Sequence, residues 1–139
     1  MRLPKVCLAL SGDTIEDMLA TAESMARDNP FLEFRLDYLK QPLSGLPKIH
    51  RFLETHQYIT AVGTCRRAEN GGKFKGSLVC QFEVLTKAHA AGCQIVDLEL
   101  QSALKAKPEA IRGKFIKSLT LSSTMSPPVH IDPKEYGSF

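Results

Sequence analysis

Apolar residues recur along this chain with two periods, one helical and one alternating. Lys5 to Leu10 is a short apolar run closed by Ser11-Gly12, which predicts a first buried strand. Ile15, Met18, Leu19, Ala22 and Met25-Ala26 then return every three or four residues, a helix that Asp13 or Thr14 can cap and Asn29-Pro30 stops. From Phe31 to Asp37 the period drops to two. Leu32, Phe34 and Leu36 alternate with Glu33, Arg35 and Asp37, so an extended strand carries carboxylate, guanidinium and carboxylate on one face, about 7 Å apart. Tyr38 to Leu46, with Pro42 and Gly45, reads as a loop, and Ile49, Phe52 and Leu53 mark a second helix. Tyr58 to Cys65 is a third strand, rich in β-branched residues.

Beyond Arg66-Arg67, residues Ala68 to Gly76 form a flexible basic loop with a glycine pair at Gly71-Gly72. Ser77 can cap a third helix along which Val79, Phe82, Leu85 and Ala88 repeat. Cys93 to Leu100 is a fourth strand with Asp97 and Glu99 two apart, Pro108 to Arg112 belongs to a short fourth helix, and Phe115 to Leu121 opens a fifth strand. Residues 122–139, with Pro127, Pro128 and Pro133, have no period and read as an irregular tail behind a folded part, residues 1–121.

Strand and helix alternate, which predicts an α/β fold of parallel strands joined by right-handed crossovers. An open doubly wound sheet and part of a TIM (β/α)8 barrel both fit. The strand ends favour the barrel: Glu33, Arg35, Arg66 and Glu99 lie within or just after several strands, where barrels collect their site residues. The first turn, Ser11-Gly12-Asp13, lacks the glycine fingerprint of a dinucleotide fold. A whole barrel takes about 250 residues, so 139 residues hold about four to five βα units, its N-terminal portion.

In such folds both sheet faces are normally covered. A covered Glu33-Arg35-Asp37 ladder must pair internally or meet a polar ligand, because isolated buried charge is costly. Composition changes this picture little. Hydrophobic content of 43% and charged content of 24% are ordinary for a globular chain, and a net charge of +3 from scattered basic residues gives no argument for nucleic acid. No apolar run reaches the ~20 residues of a membrane helix. Cys7, Cys65, Cys80 and Cys93 show no metal spacing and read as buried free thiols in a reducing, cytoplasmic protein without a metal. Lys73 to Ser77 matches no phosphate-loop fingerprint, His50, His56 and His89 read as surface residues, and Met18 and Met25 read as core.

Three motifs in order resemble the type I 3-dehydroquinate dehydratases, Schiff-base lyases of the shikimate pathway of aromatic amino acid biosynthesis. They are Glu33-Phe34-Arg35-Leu36-Asp37, Thr64-Cys65-Arg66 followed by Gly71-Gly72, and Asp97-Leu98-Glu99-Leu100, within a match from about Lys5 to about Ile116. The resemblance implies dehydration of 3-dehydroquinate to 3-dehydroshikimate through a lysine imine, with no external cofactor. It implies substrate contacts from Glu33, Arg35 and Arg66; it would have Asp37 and Glu99 orient the arginines, although the residues themselves read first as structural ion pairs.

Several positions depart from the family. Ala9 stands where a serine is common, and Asn70 stands where a carboxylate orients the catalytic histidine, with Glu69 one place early. The histidine expected near Ser118 is missing, with His130 the next one, and the imine lysine of the sixth strand is absent, so no catalytic residue is assigned. The chain reads as the N-terminal half of such an enzyme with an unrelated ending, as a truncated or frame-shifted product would. The alternative is a non-catalytic remnant or binding half-barrel that needs a partner, either a homodimer mate or a complementing half-barrel, to cover its open strand edges.

Overall fold

The computed structural model describes residues 4–105, 119–121 and 129–131. The chain divides into two compact units, Met1–Glu99 and Leu100–Phe139. In the first, β1 (Leu8–Leu10), β2 (Phe31–Arg35), β3 (Thr60–Thr64) and β4 (Ile95–Asp97) form a parallel sheet in the order β1-β2-β3-β4. Between them run α1 (Ile15–Met25), α2 (Pro42–Thr55) and α3 (Leu78–Ala90). A doubly wound sheet would reverse its strand order at a switch point. Here each strand lies beside its successor, as in part of a TIM barrel.

Helix ends follow local chemistry. Thr14 caps α1 by accepting the Asp17 N–H at 3.2 Å, and Ser77 caps α3 by accepting the Cys80 N–H at 3.2 Å. The expected loop from Tyr38 to Leu46 is corrected. Leu36–Tyr38 is a 3-10 turn and α2 begins at Pro42, whose fixed φ and missing N–H suit a first helical turn. Gly45 is a buried helical residue because Leu39 and Ile15 press on it: an added Cβ would lie 3.2 Å from Leu39 Cδ1.

The core lies where the helices meet the apolar face of the sheet. Leu32, Phe34, Ile49, Ala61, Met18 and Ala88 are fully buried. Phe34 meets the Phe52 ring edge-on, with centroids 6.3 Å apart. Met25, expected in the core, is 41% exposed because it ends α1 on the outer side. Cys65 and Cys93 are buried as expected, while Cys7 and Cys80 are exposed. His56 is less of a surface residue than its neighbours suggested. It stacks on Phe52 at 4.4 Å and pairs with Glu23 at 3.1 Å.

In the second unit α4 spans Leu100–Lys105, and β5 (Leu119–Leu121) pairs antiparallel with β6 (Val129–Ile131) in a two-stranded sheet of their own. The fifth strand expected over Phe115 to Leu121 therefore does not continue the parallel series. Antiparallel pairing needs only a short connection, whereas another parallel strand would need a crossover. The helix expected over Pro108 to Arg112 lies outside the described residues. Among those residues no helix is long and apolar enough to cross a membrane.

Candidate functional site at the strand ends

The polar side of β2 defines the site. Glu33 and Arg35 are two residues apart, so both side chains project from the face opposite Leu32 and Phe34. Register carries this face across the sheet, since Arg35 lies beside Thr64 and Thr64 beside Asp97. The side chains follow: buried Thr64 donates its hydroxyl proton to Glu33 Oε1 at 2.6 Å. Arg66, just past the end of β3, donates from Nη2 to Asp97 Oδ2 at 2.7 Å. Cover on this face is uneven: Thr64 and Asp37 are buried, whereas the Arg66 and Asp97 side chains at the strand ends are 39% and 38% exposed.

Asp37 lies not on the strand but in the 3-10 turn after it, fully buried. It takes a two-pronged contact from Arg35, at 2.9 Å from Nε and 2.8 Å from Nη2, and a third hydrogen bond from the Lys73 N–H at 3.0 Å. Burial alone would raise its pKa, but the Arg35 and Lys73 hydrogen bonds overcome that and hold the carboxyl below its ordinary value. Arg35 is held protonated in return, chiefly by its hydrogen bonds to Asp37. Arg66 is held protonated first by its hydrogen bond to Asp97. The nearby Arg35 charge opposes this and Glu33 supports it, so the three groups share one electrostatic neighbourhood. The structure thus brings Glu33, Arg35 and Arg66 together.

The loop after Arg66 is ordered by its backbone. The Phe74 N–H donates to the Arg66 carbonyl at 3.1 Å, and the Ala68 N–H to the Phe74 carbonyl at 2.9 Å. Gly72 lies against Arg66, where any Cβ would run into that residue's carbonyl. Asn70 ends a 3-10 turn, its N–H donating to the Arg67 carbonyl at 3.0 Å, and Glu69 pairs with Arg67 at 2.8 Å. Tyr38 lies between two cations, 5.0 Å from the Arg35 guanidinium and 4.2 Å from the Lys73 ammonium. Glu99 accepts the Arg67 N–H at 3.1 Å and a hydrogen bond from Gln81 Nε2 at 2.8 Å. Among the described residues no cluster of three or more His, Cys, Asp or Glu side chains is placed to hold a metal ion.

Thr64, Asp97 and Gln81 were not singled out from the sequence as site groups. The two-residue spacing of Asp97 and Glu99 was a signal for the first of them, while a buried glutamine on an apolar helix face gave none.

A parallel βα sheet whose strand ends gather carboxylates and guanidiniums is the layout of a βα-barrel enzyme. The chain belongs to the type I 3-dehydroquinase family, whose model matches residues 6–126. It is 30% identical over 118 residues to a 3-dehydroquinate dehydratase of Coxiella burnetii (strain Dugway 5J108-111), covering 85% of this chain and 49% of that protein. It is 36% identical over 99 residues to the 3-dehydroquinate dehydratase of Methanopyrus kandleri, covering 70% and 45%. A shorter similarity, 42% over 53 residues, links it to the large ribosomal subunit protein uL1 of Salinispora arenicola, covering 36% of this chain and 22% of that one. The chain spans about half the length of the dehydratases it matches.

Proposed function

We propose that this chain holds 3-dehydroquinate on the polar face of its sheet, as the N-terminal part of a 3-dehydroquinate dehydratase barrel. The observation that carries this reading is the convergence of Glu33, Arg35 and Arg66 on one partly open face. Thr64 occupies Glu33 Oε1, leaving the other carboxylate oxygen able to accept from a substrate hydroxyl. Asp37 engages Nε and Nη2 of Arg35, so its Nη1 edge can donate to a substrate oxygen.

Carboxylates and guanidiniums stand side by side here, so this face offers both acceptors and donors and suits the hydroxyl-bearing side of the substrate. In the complete reaction a lysine amine condenses with the ring ketone and releases water. The imine acidifies the adjacent C–H, a base takes that proton, and the hydroxyl leaves as water. Hydrolysis then frees 3-dehydroshikimate and the amine. In this scheme Glu33, Arg35 and Arg66 supply binding contacts and are not the groups that form the imine or move the proton.

Two measurements test this. Calorimetric titration with 3-dehydroquinate is expected to show binding that Arg66→Ala weakens about tenfold or more, the loss of a charge-assisted contact. Absence of binding, or indifference to Arg66→Ala, refutes the substrate reading. Borohydride added with substrate is expected to leave the protein's mass unchanged, and a covalent adduct would show that a competent lysine is present.

A further inference from the structure

We propose that Gln81 is a positioning residue for Arg66, acting with Glu99 on the peptide groups at either side of it. This rests on the reading that Arg66 holds the substrate. Gln81 is fully buried in the first half of α3. Its Nε2 donates to the Cys65 carbonyl at 2.8 Å and to Glu99 Oε2 at 2.8 Å, and Glu99 Oε1 accepts the Arg67 N–H at 3.1 Å. The Arg66 carbonyl takes the Phe74 N–H. The carbonyl before Arg66, its own carbonyl and the N–H after it therefore each end on a defined partner. With the chain fixed on both sides, the Cα–Cβ bond of Arg66 leaves the end of β3 in one direction, from which the guanidinium reaches Asp97.

The amide orientation follows from its partners. Both groups facing Nε2 are acceptors, so a reversed amide would set an oxygen against two oxygens. The arrangement leaves Gln81 Oε1 buried and without a hydrogen-bond partner among the described residues. An orphaned buried acceptor opposes folding, and an apolar side chain of similar length would fill the space without that penalty. What the glutamine adds is the pair of hydrogen bonds from Nε2, and both lead to the backbone around Arg66.

The test uses the full 139-residue chain with Gln81→Met, which keeps the length and removes the donor. Two quantities are measured: the NMR order parameter of the Arg66 Nε–H, and the affinity for 3-dehydroquinate. Gln81→Met is expected to lower the order parameter and to weaken binding about tenfold, as small misplacements of a binding group do. The affinity loss is expected to vanish in an Arg66→Ala background. Unchanged order and affinity would overturn the proposal. So would an equal loss in the Arg66→Ala background, since a merely structural effect does not pass through Arg66. If the parent chain binds no 3-dehydroquinate, the order parameter decides alone: a fall sustains the role of Gln81 while the substrate reading fails. Should Gln81→Met not fold, Glu99→Gln gives the same readouts, because a single amide oxygen cannot accept both Gln81 Nε2 and the Arg67 N–H, and one of the two anchors beside Arg66 is lost.

Discussion

The two faces of β2 come from one stretch of chain and are held by different physics. On one side Leu32, Phe34 and Leu36 are fully buried, against neighbours such as Phe52. Their contribution grows with area and is indifferent to direction. On the other side the Thr64 hydroxyl donates to Glu33, and Asp37, after the turn, accepts from Arg35 and from the Lys73 N–H. There a displacement of 1 Å separates a contact from none. The apolar face fixes that the strand is present, and the polar face fixes where its charges point.

Substitutions on each face are expected to separate these roles. Phe34→Ala should have the largest effect on stability, about 3–5 kcal/mol in chemical denaturation, by loss of burial and creation of a cavity. Asp37→Ala should follow at about 3 kcal/mol, because it strands the Arg35 guanidinium, which is only 17% exposed. The same group sets an acid limb. Its carboxyl titrates lower folded than unfolded, so its contribution is complete above the unfolded value of about 3.9 and is lost as pH falls through the folded one. Denaturation midpoints measured from pH 6 down to pH 2 should therefore fall less steeply in Asp37→Asn than in the parent chain.

Thr64→Val should act mainly on the polar face, weakening 3-dehydroquinate binding about tenfold by freeing Glu33 to rotate, while Thr64→Ser retains affinity. Equal affinities for both variants would show that the hydroxyl does not orient Glu33. The smallest effect concerns thiols. Burial, joined by the charges of Asp37 and Glu99, pushes Cys65 up to about 12, and burial pushes Cys93 up to about 12. Alkylation at pH 8 followed by mass spectrometry should modify exposed Cys80 and leave Cys65 and Cys93 untouched while the chain is folded.

The apolar face was the legible one. Alternation at Leu32 and Phe34 and the three-four spacing at Met18 and Ala22 each report on one element, and those elements formed where expected. Pro42 and Gly45 misled because both residue types mark loops, whereas here one opens a helix and the other lets it pack closely. The resemblance named Glu33, Arg35 and Arg66, but their partners lie far along the chain. Thr64 is 31 residues from Glu33, and Asp97 is 31 from Arg66. Such pairs arise from strand register, which no local period encodes. The start of the antiparallel pair β5–β6 was hidden for the same reason: a three-residue strand does not reveal its direction of pairing.

Tyr38, set between the Arg35 guanidinium and the Lys73 ammonium, has an optical consequence. The chain has no tryptophan and three tyrosines, so its ultraviolet emission is not masked by indole. Cations on a phenol ring alter its emission, and Lys73 belongs to the glycine-rich loop while Arg35 belongs to the sheet. With Tyr58 and Tyr136 replaced by phenylalanine, the molecule would carry its own gauge of whether that loop is seated, readable in a cuvette without any attached dye.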